Sequence, residues 1–288
     1  MIETAIHLPQ TDAVGLSESW LFKHCGEQHW EYLCAAMGVG GVNSKEMRDD
    51  EGRRLYPTFV AISTRYAAPL SSVRMDERFH TSVSLRHYGR AFFNSNVTFH
   101  NDSARFEVEM LTTFVARNRE GLNDLHQSLP ASCLAYDAEP SGEPPALLGL
   151  SRRLRHKELE DYELSGRRFS PRAPGLGLSA SYEPSPYSDY NGAGLLYFAA
   201  YPTITDTLER RLIHGHGLTS GGTDWALRSS TVARDVFYYR NLNLGEELVA
   251  TLNRFDRGVD DVLLHTSLAA ARTGAELADV FTLKRLTA

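Results

Sequence analysis

The stretch Asp189-Tyr190-Asn191-Gly192-Ala193-Gly194-Leu195-Leu196-Tyr197-Phe198-Ala199-Ala200-Tyr201-Pro202, continuing through Thr205-Asp206-Thr207-Leu208-Glu209-Arg210-Arg211-Leu212, decides the fold. A polar turn rich in Asn and Gly feeds an apolar run, and that run passes directly into a helix. Behind it, Asp235-Val236-Phe237-Tyr238-Tyr239-Arg240-Asn241-Leu242-Asn243-Leu244-Gly245-Glu246-Glu247-Leu248-Val249 reads as a strand, a turn built on Gly245, and another strand. The pattern predicts one helix at a mouth loop, wrapped by the antiparallel strands that follow it.

The same order occurs earlier in the chain. Ser17 or Ser19 caps a helical stretch over residues 16 to 37, with Trp20, Leu21, Cys25, Trp30, Leu33, Cys34 and Met37 at partly helical spacing. Gly38, Gly40 and Gly41 break it. Strands follow from Tyr56 to Tyr66, then over 79 to 88, 91 to 99 and 105 to 116, with period-two alternation and turns at Gly89-Arg90 and Asn101-Asp102-Ser103. Helix first and antiparallel strands afterwards is how hot-dog domains are written. The expected fold is therefore α+β, a double hot-dog: residues 1–125 as one unit, 126–184 as a linker, and 185–288 as the second unit. Two such sheets pairing edge to edge would bury the edges each half otherwise exposes. In this fold acyl thioesters bind beside the central helix, which directs attention to coenzyme A and acyl-carrier-protein chemistry.

The linker is rich in Pro, Ser and Gly and is expected to run over the surface. Within it, residues 151 to 172 hold seven Arg/Lys against four acids, a net +3. The plain interpretation is a solvated face. The sharper one is a landing site for CoA phosphates or an acidic carrier protein.

Composition excludes several classes. An apolar share of 42% and a charged share of 23% are those of a globular chain, and a net charge of -6 argues against nucleic acid. No basic segment leads into an apolar one at the N-terminus, and the apolar run at Leu195–Tyr201 is far shorter than a membrane helix requires. Cys25, Cys34 and Cys133 are widely spaced and form no CxxC, as expected of reduced, buried thiols in a cytoplasmic protein. No G-x-S-x-G, H-E-x-x-H, P-loop or Rossmann glycine motif is present. His214-Gly215-His216-Gly217 lacks a carboxylate or Cys at ligand spacing and is read as a helix end, so no metal is expected. Gly38-Val39-Gly40-Gly41 is read as a flexible connection after a helix.

Three constellations remain. Tyr56 stands where the polar loop Gly52-Arg53-Arg54-Leu55 meets a strand, held extended by Pro57. The Asp189-Tyr190-Asn191-Gly192 turn, with Tyr197 and Tyr201, occupies the position that faces the thioester in hot-dog enzymes, where a carboxamide can hold an oxyanion. His24, His29 and Trp30 lie on the first helix. Each also has an ordinary structural reading: a strand-initiating Tyr, a turn, and core or surface histidines.

The segments Gly52–Phe59, His29-Trp30, Asn191–Pro202 and Arg234–Leu242 together resemble the LnmK-like family of bifunctional acyltransferase/decarboxylases. The resemblance spans about residues 16 to 125 and 185 to 285. It implies a double hot-dog that converts methylmalonyl-CoA, or a similar malonyl-type thioester, into a propionyl group on an acyl carrier protein in polyketide biosynthesis. It further implies a Tyr nucleophile, placed at Tyr56; the position of its turn makes Asn191 the second expected catalytic group. His29, Asp189, Gly192 and Tyr197 are the expected substrate contacts. The CoA thioester is substrate, so no other cofactor is expected. A homodimer is the expected assembly. An ordinary phenol costs roughly 4 kcal/mol to ionise at pH 7, but losing CO₂ leaves an enolate basic enough to take its proton. Two enzymatic alternatives stay open: a thioesterase using Asp189, or a dehydratase pairing His29 with Asp206. So does a catalytically silent thioester-binding module.

Overall fold

The computed structural model describes residues 2–38, 47–119, 122–132, 139–219, 225 and 227–286. In chain order the elements are β1 (Ile2–Ala5), β2 (Thr11–Asp12), β3 (Gly15–Leu16), α1 (Glu18–Ala36), β4 (Tyr56–Tyr66), β5 (Arg78–Tyr88), β6 (Phe92–His100), β7 (Arg105–Arg117), β8 (Leu125–Gln127) and β9 (Glu139–Pro140). Then come α2 (Ala146–Arg155), β10 (Tyr162–Leu164), β11 (Arg167–Phe169), β12 (Leu178–Tyr182), α3 (Tyr201–Gly215), β13 (Ser229–Tyr238), β14 (Leu248–Arg257), β15 (Asp261–Ala270) and β16 (Glu276–Leu286).

Ser17 caps α1, its hydroxyl accepting from the Trp20 N–H, and Pro202 occupies the first turn of α3 where its missing N–H costs nothing. The long strands run in the order β1-β5-β6-β7-β4-β13-β16-β15-β14-β12 as one antiparallel sheet. The halves meet where β4 pairs with β13, from Arg65 opposite Ala233 to Ala61 opposite Phe237. Each half is a hot-dog unit, α1 on the first and α3 on the second, and the edge-to-edge union anticipated from the sequence is this β4–β13 ladder.

The junction is a pseudo-twofold axis. The β4–β7 register slips at Val60 and the β13–β16 register slips at Val232. Superposing these bulges makes Ser63 the counterpart of Asp235, and those two residues face each other across the junction. Tyr66, whose hydroxyl bonds Glu18 at the start of α1, likewise matches Tyr238, which packs against Tyr201 at the start of α3.

On the helix-bearing face Leu21 and Phe22 of α1 and Ile204 and Leu208 of α3 share one core with Ile62 and Val236. The opposite face is covered by the segment read from sequence as a bare surface linker. Leu147, Leu148 and Leu154 of α2 pack on Ala61, Ala233, Phe237 and Phe281, directly over the junction. Tyr162 of the β10–β11 hairpin donates to Asp235, which also holds Arg65 through two bonds of 2.6 and 3.0 Å. β12 of the same segment pairs with β14 at the sheet edge. Residues 126–184 therefore carry a helix, a hairpin and an edge strand.

Candidate functional site

After the Ala61–Phe237 pair, β4 and β13 part. Residues Tyr56–Phe59 keep their ladder to β7 but, like the bulged Val60, have none to β13. In the resulting gap lies a cleft of about 1370 Å³ that passes from the helix-bearing face to the α2 face. Phe59, Phe198 and Tyr238 belong to the first wall, Val60, Phe92 and Tyr239 to the second.

Tyr56 is half-buried at this gap. Two guanidiniums, those of Arg54 and Arg117, lie over its ring, each 4.9 Å from the centroid. Cations stacked on an aromatic face are held there by the ring quadrupole, so positive charge is fixed beside the phenol. Arg117 also donates to the Ala193 carbonyl and to Asn123 Oδ1 (3.1 Å), and Asn123 in turn donates to the Gly194 and Leu242 carbonyls. These bonds bring the Asn191 turn, far away in sequence, alongside Tyr56.

The turn is rigid. Asn191 Oδ1 accepts from the N–H groups of Ala193 (2.9 Å) and Leu195 (3.1 Å), and Gly194 takes φ +69°, a left-handed conformation that suits glycine. The Asn191 carboxamide oxygen is thus engaged in its own loop, leaving the amide Nδ2 as the end available for a ligand. Asn191, Gly192 and Tyr197 line the cleft. Asp189 is not among its lining residues; its buried carboxylate accepts from the Tyr182 hydroxyl (2.9 Å), the Ser185 amide (2.8 Å) and the Ser188 hydroxyl (2.9 Å). In that setting it secures the loop.

His29 reaches the cleft from α1 but is 1% exposed, with Nδ1 on Ser95 Oγ (2.6 Å) and Nε2 on Thr112 Oγ1 (3.0 Å). Burial pushes its pKa down to about 3, so the ring is neutral across the physiological range. It packs on Phe59, which packs on Phe198 with centroids 4.3 Å apart. Phe198 lies so close to α1 that a Cβ at Gly26 would collide with its ring. His24 bonds Thr81 and stacks on Trp20. Asp206, the suggested partner of His29, is paired to Arg234 and Lys284 on the other side of the junction.

Among the described residues no group of three or more His, Cys, Asp and Glu could hold a metal ion, and no helix is long and apolar enough to cross a membrane. His214–Gly217 closes α3, with the amides of His216 and Gly217 on the carbonyls of Leu212 and His214. Cys25 and Cys34 are buried free thiols. Cys133 and Val39-Gly40-Gly41 lie outside the described residues. Arg117 and Asn123, which join the turn to Tyr56, carry no motif in the sequence. Their only signal is position, at the end of β7 and in the loop after it.

No protein-family model matches the sequence, and no curated protein matches it. Among solved structures, the chain aligns over 99% of its length with a candidate oleoyl thioesterase from Lactobacillus plantarum (TM-score 0.67, 11% identity, 94% of that chain). It aligns over the same 99% with the 12:0-ACP thioesterase from Umbellularia californica (TM-score 0.62, 10% identity, 93% of that chain). A third is an acyl-ACP thioesterase from Bacteroides thetaiotaomicron (TM-score 0.59, 12% identity, 99% of this chain and 96% of that one). At such identities the likeness establishes the fold: the chain is a double hot-dog.

Proposed function

We propose that this chain is an enzyme acting on acyl thioesters of coenzyme A or of an acyl carrier protein, with the acyl carbonyl beside Tyr56. The observation that carries the reading is the cleft at the junction, where a phenol beside two guanidiniums meets the Asn191 turn. Hydrolysis to a free acid is the reading that the structural neighbours favour, since all three are named as thioesterases. Within the cleft, Asn191 Nδ2 is the donor for the carbonyl oxygen, a role worth about 10²-fold or more in rate.

Acyl transfer with decarboxylation is the second reading, and the surroundings of Tyr56 favour it. His29 is neutral with both nitrogens engaged, and Asp189 is held in its loop, so the phenol is the reactive group best placed at the gap. The fixed charges of Arg54 and Arg117 suit a malonyl-type carboxylate. Loss of CO₂ leaves an enolate, whose carbon takes the Tyr56 proton. The phenolate oxygen then attacks the thioester carbonyl, the C–S bond breaks, and CoA leaves as its thiolate. A carrier-protein thiol attacks the aryl ester and its proton returns to Tyr56.

Products separate the two. The protein is incubated with methylmalonyl-CoA and with saturated acyl-CoA, with and without carrier protein, and followed by mass spectrometry. Free acid from the saturated series supports hydrolysis. CO₂ release with an acyl adduct that vanishes in Tyr56→Phe supports transfer. Absence of free acid, CO₂ and acyl-carrier across both series, with and without carrier protein, would overturn the proposal.

A further inference from the structure

The α2 face of the cleft has a chemistry that neither hydrolysis nor transfer uses. Although the chain carries a net charge of -6, six cationic side chains line the cleft among the described residues against three acids, Glu27, Asp124 and Glu246. Glu246 is already paired with Arg272 at 2.7 Å. Two of the cations, Arg152 and Arg155, come from α2, whose leucines anchor it across the β4–β13 junction. Both are exposed, and both lie over aromatic rings of the cleft. The Arg152 guanidinium lies 6.0 Å from the centroid of Phe92, and that of Arg155 lies 5.6 Å from the centroid of Tyr239. Arg155 Nη2 also donates to the Tyr239 carbonyl at 2.7 Å. Arg155 is therefore held against the cleft wall and Arg152 lies over it, at the end of the gap opposite α1. Cations in the last turn of a helix also offset its dipole, but Arg153 does that from outside the cleft, whereas Arg152 and Arg155 face into it.

Resting on the acyl-thioester reading, we propose that Arg152 and Arg155 receive the phosphates of coenzyme A. The carrier is then CoA, threaded through the gap with its nucleotide end at α2 and its acyl end at Tyr56. Arginine suits this because its planar fork bonds phosphate oxygens in pairs. A concave wall continuous with the reactive gap fits a small nucleotide better than the outward face of an acidic protein.

The test compares CoA with pantetheine, which shares the thiol arm and lacks the phosphates, by titration calorimetry at low and high salt. In the wild type CoA should bind more tightly than pantetheine, with affinity falling as salt rises. In Arg152→Glu/Arg155→Glu that advantage should shrink by about 10- to 100-fold, towards the pantetheine value. Both side chains are exposed, so the fold should persist, and Arg152→Ala/Arg155→Ala provides a milder variant if charge reversal disturbs α2. A wild type that binds CoA no better than pantetheine overturns the inference, as does a charge-reversed variant that retains the CoA advantage, or catalysis confined to carrier-protein thioesters. Failure of the acyl-thioester reading looks different: neither thiol binds, and thioesters of CoA, pantetheine and carrier protein all go unconsumed.

Discussion

On one side of the Ser63–Asp235 pair the strands part around Tyr56; on the other they part around Thr231, and the two openings are finished in opposite ways. The counterparts of Phe59 and Tyr238, which line the cleft, are Thr231 and Tyr66, and the counterpart of the core residue Ile62 is Arg234. Arg234 is completely buried. Its Nη2 donates to both Asp206 oxygens at 2.9 and 3.0 Å, and its Nε to Glu18 at 3.2 Å. Lys284 adds a 2.7 Å bond to Asp206, and the Tyr66 hydroxyl a 3.0 Å bond to Glu18. Glu18 and Tyr66 belong to the first half, Asp206, Arg234 and Lys284 to the second, so this opening is a clamp between them. One architecture thus supplies two equivalent places: the open one keeps room for a ligand, and the ion-paired one ties the halves together.

Removing the charge at the centre of the clamp should have the largest effect on stability. Arg234→Met leaves Glu18 with only the Tyr66 hydroxyl and Asp206 with only Lys284 and is expected to cost about 3–5 kcal/mol in denaturant unfolding; a loss under about 1 kcal/mol would show that the ions are not what joins the halves. A smaller effect comes from Glu209, buried in the same seam with Oε1 accepting from Thr266 at 2.7 Å and Oε2 without a partner among the described residues. Burial, reinforced by nearby Asp206 and opposed by Lys284 and Arg234, pushes its pKa from 4.5 up to about 7. The native state then holds this proton more tightly than the unfolded chain. Its contribution is fully present below about pH 4.5 and declines as pH rises through about 7. Glu209→Gln should flatten the fall in melting temperature between pH 5 and 8; an unaltered slope would assign the pH dependence elsewhere. The smallest effect belongs to the open side. The Tyr56 hydroxyl bonds none of the described residues, so Tyr56→Phe should change stability by less than about 0.5 kcal/mol while altering the products. A large destabilisation would make Tyr56 part of the frame.

Legibility followed the range of the interaction that shapes each part. Alternation along β5 and β7, the Ser17 cap and the Gly245 turn are local and could be read directly. The sequence reads as surface linker where α2 forms, although Leu147, Leu148 and Leu154 lie on one face, because its arginines and the surrounding prolines dominate the local composition. Tyr56, Asn191, Gly192, Tyr197 and His29 are all brought to one cleft, whereas Asp189 is turned into its loop and Asp206 into the clamp. Nothing near Asp206 in the chain indicates its partners, Arg234 and Lys284, which arrive from later strands.

By itself the sequence determined the helix-then-strands order of the two halves, because capping, turn chemistry and side-chain periodicity act over a few residues. Only the tertiary structure decided which opening of the junction stays open and which is bridged by ions. That choice depends on contacts such as Thr64 with Arg234, 170 residues apart, and pairing at that distance leaves no trace in local pattern.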